Sequence, residues 1–182
     1  LEKERPKLAV DATHPYAAKV TGYIKESCED LGISRVRILR KESCVKGPDI
    51  VMKASFQEAA AYLADKKGNI LLTTGTKDLK EFTVIPGYEE RLFARVLPSL
   101  ESLEKCHSLS IKGKHVIAME GPFSKDMNKA LMEQLNIRFL VTKESGAAGG
   151  FTEKLQGAKE AGAEVIVIGR PCEEEGISEE EA

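Results

Sequence analysis

The sequence has no Trp, and aromatic residues fill only 5% of its 182 positions. It holds no apolar run near the roughly 18 residues that a membrane-spanning helix requires. Its first residues, Leu1-Glu-Lys-Glu-Arg-Pro6, contain no apolar signal core, so the expectation is a protein that is neither exported nor membrane-bound. Cysteine is scarce and scattered, at Cys28, Cys44, Cys106 and Cys172, with no CxxC pair and no His at zinc-ligand spacing. That spacing speaks against a zinc site or a disulfide scaffold, and predicts free thiols in a reducing cytoplasm with no bound metal. The 15 Gly and 7 Pro are aperiodic, which excludes a collagen-like fibre. Neither sign of charge dominates, with 27 Lys and Arg against 29 Asp and Glu. A strongly basic nucleic-acid binder is thereby excluded.

What is present is a globular composition, 42% hydrophobic and 31% charged, which rules out a disordered chain. The length suits one large domain or two small ones. Six of the last ten residues are Glu, and without them 27 basic residues face 23 acidic ones. The body is therefore mildly basic and better matched to an anionic small ligand than to a nucleic acid.

Short β-branched runs alternate with longer helical patterns. Strands are predicted at Leu8–Val10, Val36–Leu39, Ile70–Thr74, Arg91–Val96, His115–Met119, Arg138–Val141 and Val165–Ile168, the Arg91–Val96 strand half-exposed. Helices are predicted at Tyr16–Leu31, ending at Gly32, at Ser55–Lys66 with a Ser55/Glu58 capping box, at Ser124–Leu135, and at Phe151–Ala161, ending at Gly162. This alternation implies an α/β fold with mainly parallel, helix-covered sheets. Weak periodicity over residues 98–113 suggests a linker between a lobe at 1–97 and a second at 114–182, which carries the acidic tail.

Ligands of open α/β sheets bind beyond the carboxyl ends of the strands, and the unusual residues occur there. They are Asp11-Ala-Thr-His-Pro-Tyr16, Thr73-Thr-Gly-Thr-Lys-Asp78, Glu120-Gly-Pro-Phe-Ser124 and Thr142-Lys-Glu-Ser-Gly-Ala-Ala-Gly-Gly150. Helix starts in such loops expose backbone N–H groups that suit anions. Asp11 could cap its loop or bind a ligand. His14, held extended by Pro15, could donate to a ligand, relay a proton or brace the loop. Gly75 fits a simple turn or a close backbone approach. Lys77 and Lys143 fit a solvated or a functional role. The Gly146–Gly150 run matches neither dinucleotide nor P-loop fingerprints. The residues alone support a site for a small anionic ligand.

Taken together, Asp11-Ala-Thr-His-Pro-Tyr-Ala17, Leu72-Thr-Thr-Gly-Thr-Lys-Asp-Leu79, Gly121-Pro-Phe-Ser124 and Val141-Thr-Lys-Glu-Ser-Gly146 closely resemble the precorrin-6A reductases in kind, order and spacing. Arg91–Pro98 and Gly169-Arg-Pro171 extend the resemblance over nearly all of residues 7–171. It implies a cytoplasmic enzyme of corrin (vitamin B12) biosynthesis that reduces one double bond of precorrin-6A, or of its cobalt form, by hydride transfer from NADPH or NADH. It also implies two Rossmann-like lobes holding cofactor and macrocycle between them, the first lobe incomplete because family members begin upstream with a Gly-Gly-Thr loop. The implied partners are a polycarboxylate tetrapyrrole and, transiently, neighbouring corrin-pathway enzymes.

On this resemblance His14 and Tyr16 would hydrogen-bond the macrocycle or help deliver a proton. Asp11, Thr13, Lys77, Arg95 and Lys143 would bind the substrate, the basic ones orienting its carboxylates. Thr74, Gly75, Thr76, Gly121, Pro122, Ser124, Ser145, Gly146 and Gly149 would line the cofactor site. The competing expectation is a tetrapyrrole- or anion-binding α/β fragment without redox activity.

Overall fold

A computed structural model describes residues 4, 6–13, 18–39, 47–111, 113–144, 150–169 and 176–178. The chain forms two compact units, Leu1–Cys44 with Arg170–Ala182, and Val45–Gly169.

In the first unit, β1 (Leu8–Asp11) leads to helix α1 (Ala18–Leu31) and then β2 (Ser34–Leu39). Gly32 closes α1 in the left-handed region, φ +63°. Its N–H bonds Glu29 O, and Ile33 N–H reaches back to Cys28 O, as expected of a glycine helix stop. The strands pair in parallel with Asp11 beside Arg37, and β9 (Ile177–Ser178) adds to the free edge of β2.

The second unit is a parallel six-stranded sheet covered on both faces. Its strands are β3 (Ile50–Lys53), β4 (Asn69–Leu72), β5 (Leu92–Val96), β6 (Val116–Ala118), β7 (Ile137–Lys143) and β8 (Glu164–Ile168). They lie in the order β3-β8-β7-β4-β5-β6. Alternate side chains serve opposite faces. Ile70, Leu72, Leu92, Ala94, Val96, Ile166 and Ile168 meet α2 (Phe56–Ala64), α4 (Leu100–Ser108) and the 3-10 turn Leu79–Phe82. Leu71, Phe93, Leu140, Val165 and Val167 meet α5 (Lys125–Gln134) and α6 (Phe151–Glu160). A single helical turn, α3 (Tyr88–Arg91), precedes β5.

The α/β class and the parallel sheets match expectation, as do the strand–helix–strand units and both glycine stops. Ser55 caps α2 as predicted, its hydroxyl accepting from Glu58 N–H, while Glu58 returns to Ala54 N–H. Three expectations are corrected. The β5 strand is buried along its whole length rather than half-exposed, because helices cover both faces. Residues 98–113 are not a linker. Helix α4 occupies most of them, capped by Ser99, whose hydroxyl accepts from Ser102 N–H. The lobe boundaries at 97 and 114 also fail: β4 pairs with β7 and β5 with β6, so hydrogen bonds of one sheet cross the expected division. The units divide at 44/45 and 169/170 instead.

Candidate functional site

Strand order fixes where a ligand can sit. From β4 the chain winds outward to β5 and β6, then returns to the other side of β4 for β7 and β8. The helices beyond β4 and β7 therefore diverge and leave a crevice at the carboxyl ends of these strands. A cavity of about 320 Å³ opens there. Thr73 and Gly75 after β4, Arg95–Leu97 at the end of β5, Met119, Gly121, Pro122 and Phe123 after β6, Asn128 of α5 and Gly150 and Lys154 of α6 line it.

Arg95 and Lys154 are the notable groups. Arg95 lies on the β5 face shared with Phe93, beneath α5 and α6, and is 8% exposed. Its Nη1 donates to Asn128 Oδ1 at 2.8 Å, and its guanidinium lies 4.4 Å from the Phe123 ring centroid. Burial lowers its pKa to about 10. Lys154, also 8% exposed, donates from Nζ to Thr142 Oγ1 at 3.4 Å. Burial, and then the charge of Arg95, lower its pKa to about 8 against a smaller opposing effect of Glu153. Neither cation forms an ion pair with a described carboxylate. Glu153 has a buried Oε2 with no hydrogen-bond partner.

The frame around these cations is tight. Asn128, 1% exposed, donates from Nδ2 to Phe123 O and Ser124 O while accepting from Arg95, and so ties the β6–α5 loop to the guanidinium. Gly157 brings α6 against α5. A Cβ there would lie 2.8 Å from Asn128 Cβ and 2.9 Å from Lys125 O. Gly150 starts α6 at φ +63° and supplies no side chain to cap its first turn.

Of the expected cofactor residues, Gly75, Gly121 and Pro122 line this cavity. Thr74 sits between two of its lining residues with a buried Oγ1 that has no partner. Thr76 accepts a backbone bond from Leu79 N–H, and Ser124 caps α5 by accepting from Met127 N–H; neither lines the cavity. Of the expected substrate residues, Arg95 lines it, Lys77 is exposed, and Lys143 pairs with Asp78 at 3.1 Å. His14, Tyr16, Ser145, Gly146 and Gly149 lie outside the described residues.

Asp11 and Thr13 form a separate cluster in the first unit. Asp11 is 1% exposed; its Oδ1 accepts from Thr13 N–H, Thr13 Oγ1 and Arg37 Nη1, and its Oδ2 from Arg35 Nη1. Burial raises its pKa, but the two Thr13 hydrogen bonds, the Arg37 charge and the Arg35 bond outweigh it, so the carboxyl titrates below its ordinary value. His115 is buried with its ring 4.6 Å from that of Phe93, a packing role.

Lys154 and Asn128 escaped the reading of the sequence, although a signal existed. Phe151, Lys154, Gly157 and Ala158 form the buried stripe of α6, and Asn128 and Met132 that of α5. A lysine and an asparagine in register with apolar neighbours at three- and four-residue spacing are buried polar groups in the making.

Comparison with known proteins follows this geometry. The family model described as precorrin-6x reductase CbiJ/CobK matches residues 1–182. The chain is 40% identical over 172 residues to the cobalt-precorrin-6A reductase of Priestia megaterium, covering 93% of this chain and 68% of that protein. It is likewise 40% identical over 172 residues to the cobalt-precorrin-6A reductase of Methanocaldococcus jannaschii, covering 94% and 67%. With that of Salmonella typhimurium the identity is 37% over 174 residues, covering 94% and 65%. The chain thus spans about two thirds of the length of these curated relatives. A solved CobK precorrin-6A reductase shares the fold, with TM-score 0.76 and 21% identity over 98% of this chain and 70% of that one. The chain belongs to the precorrin-6x reductase family.

Proposed function

We propose that the protein reduces one double bond of the precorrin-6A macrocycle, cobalt-containing or metal-free, in cobalamin biosynthesis. The relatives named cobalt-precorrin-6A reductase support this reading, and one structural observation carries it: the cavity at the switch point of the six-stranded sheet, with two buried cations that pair with no carboxylate among the described residues. A reduced nicotinamide cofactor, NADPH or NADH, supplies the hydride when bound. The donor set fits such a group: two buried cations, and glycines at 75, 121 and 150 that line the cavity.

The chain's own task is to bind, orient and protonate. Val96, Leu97, Met119 and Phe123 give the cavity an apolar side that excludes water from an extended ring system. Lys77, exposed on the loop after β4, is assigned to a peripheral carboxylate of the macrocycle. Hydride adds to one carbon of the double bond, and a proton must reach the other end of the system. His14 and Tyr16 are the assigned proton carriers. The buried thiols of Cys28 and Cys106 suit a cytoplasmic protein, and transfer of the macrocycle between neighbouring pathway enzymes is part of the same proposal.

The test is anaerobic turnover of precorrin-6A and of cobalt-precorrin-6A by the full-length protein with NADPH and with NADH, followed optically. Reduction of either macrocycle supports the reading. Failure of all four combinations sinks it and leaves a binding protein without redox activity. Unchanged turnover by His14→Ala would remove that residue's proton-carrying role.

A further inference from the structure

Two cations are buried in this cavity where the protein supplies no described counter-ion. Arg95 from β5 and Lys154 from α6 are each more than nine-tenths buried, and each is held by a neutral partner, Asn128 and Thr142. Such neutral anchoring orients charge without cancelling it. The guanidinium spends one Nη1 bond on Asn128 and rests on the Phe123 ring, and none of its nitrogens is both buried and unpartnered. Burying one unpaired cation is costly, and burying two within reach of each other is more so. The nearby carboxylate, Glu153, forms no ion pair with either. A carboxylate ligand would bring a single negative charge to the pair, whereas a pyrophosphate bridge as a whole, or a terminal ribose phosphate, brings about two and offers several acceptor oxygens.

The backbone agrees with a phosphate. Helix α6 begins at Gly150 beside the cavity and has no side-chain cap on its first-turn N–H groups. The β4 loop passes the same cavity through Gly75, at φ +81° and with open space where a Cβ would be. Both features let the chain approach an anion closely.

We infer that Arg95 and Lys154 together clamp a phosphate group of the nicotinamide dinucleotide, with Asn128 and Thr142 as positioning residues. The inference rests on the proposed function for the identity of the ligand and assigns Arg95 to the cofactor rather than to macrocycle carboxylates. The phosphate has two sources, the pyrophosphate bridge and, in NADPH, the ribose phosphate. Calorimetric titration of the wild type, Arg95→Gln, Lys154→Met and Lys154→Arg with NADPH, NADH and inorganic pyrophosphate separates them.

Loss of a charge-assisted contact should weaken binding roughly ten- to hundredfold in Gln and Met variants, with Lys154→Arg retaining part of the affinity. Equal losses for NADPH and NADH place the pyrophosphate in the clamp, and a loss confined to NADPH places the ribose phosphate there. Unchanged affinity for both dinucleotides overturns the clamp, as does weakened macrocycle binding with dinucleotide binding intact. Circular dichroism and thermal unfolding of each variant without ligand establish that it is folded. Should Lys154→Met fail to fold, Lys154→Arg and Lys154→Gln carry the measurement. The readout is binding, so the two readings fail separately. A wild type that binds cofactor and pyrophosphate but reduces no macrocycle breaks the proposed function, and an active enzyme whose variants keep dinucleotide affinity breaks only the clamp.

Discussion

Each unit holds a pair of basic side chains against a parallel sheet, and the two pairs are treated in opposite ways. In the first unit Arg35 and Arg37 converge on Asp11, and Thr13 fills out the hydrogen-bonding capacity of that carboxylate. In the second, Arg95 and Lys154 meet an amide, an aromatic ring and a hydroxyl, and no carboxylate among the described residues pairs with them. Charge satisfied from within is a brace; charge left unsatisfied costs stability that only a ligand can return. The difference explains why Asp11, at the head of a distinctive sequence string, is buried under its own arginines, while an unremarkable helical lysine lines the cavity.

The largest effect expected from breaking this contrast lies in the brace. Asp11→Ala leaves Arg37, 6% exposed, without its carboxylate, and should cost about 3–5 kcal/mol. Urea unfolding followed by circular dichroism measures it, and a loss below about 1 kcal/mol would show that the cluster is no brace. Next comes the frame of the unpaired cations. Gly157→Ala places a methyl group against the α5 backbone and Asn128 Cβ, for an expected cost of about 1–3 kcal/mol. Because Asn128 holds Arg95, dinucleotide affinity should fall in the same variant, whereas a purely structural glycine would leave the affinity of the folded fraction unchanged.

Lys154→Met should act in the opposite sense to Asp11→Ala. Removing a buried, unpaired cation in favour of an apolar chain of similar length is expected to raise ligand-free stability by about 1 kcal/mol or more. The shift in melting temperature that cofactor gives the wild type should shrink at the same time. A variant less stable than wild type without ligand would show that Lys154 is compensated after all.

These contrasts also mark what could be read from the sequence. Strongly apolar strands such as Ile70–Leu72 and Val165–Ile168 declare themselves because both faces are buried, and the helix stops at Gly32 and Gly162 have a local cause in backbone conformation. Helix α4 was hidden because its sheet-facing side carries Ser102 and Cys106 while Leu100 and Leu103 face outward, so apolar periodicity is weak. The four-residue strand β3 follows a charged, turn-rich stretch and belongs to the sheet only through β8, more than a hundred residues later. The loops that line the cavity were legible as loops. The groups that give it charge were not, since Lys154 is recognisable only once α6 is rotated onto the sheet, and the partners of Asp11 lie on the next strand.

The smallest and most discriminating effect is pH-dependent stability, where the two clusters should diverge in both sign and range. The Asp11 carboxyl is held below its ordinary value of 3.8 in the folded protein. Its contribution is therefore complete above that value and is lost as pH falls through the still lower folded pKa, when the native carboxylate must be protonated. Lys154 is shifted the other way, from 10.5 down to about 8. Between these values the unfolded chain binds more protons than the folded one, so stability without ligand should rise with pH across that interval. Below about pH 8 Lys154 is charged in both states and its full burial cost is present. Bound phosphate favours the charged amine, so cofactor affinity should fall over the range in which ligand-free stability rises. Arg95, lowered to about 10, enters only at the top of this interval and is present in wild type and Lys154→Met alike, so the difference between them reports Lys154. Chemical denaturation from pH 7 to 10.5, wild type minus Lys154→Met, isolates the slope. A flat difference would mean that the amine is already neutralised by a partner in the folded chain, and the contrast between the two clusters would disappear.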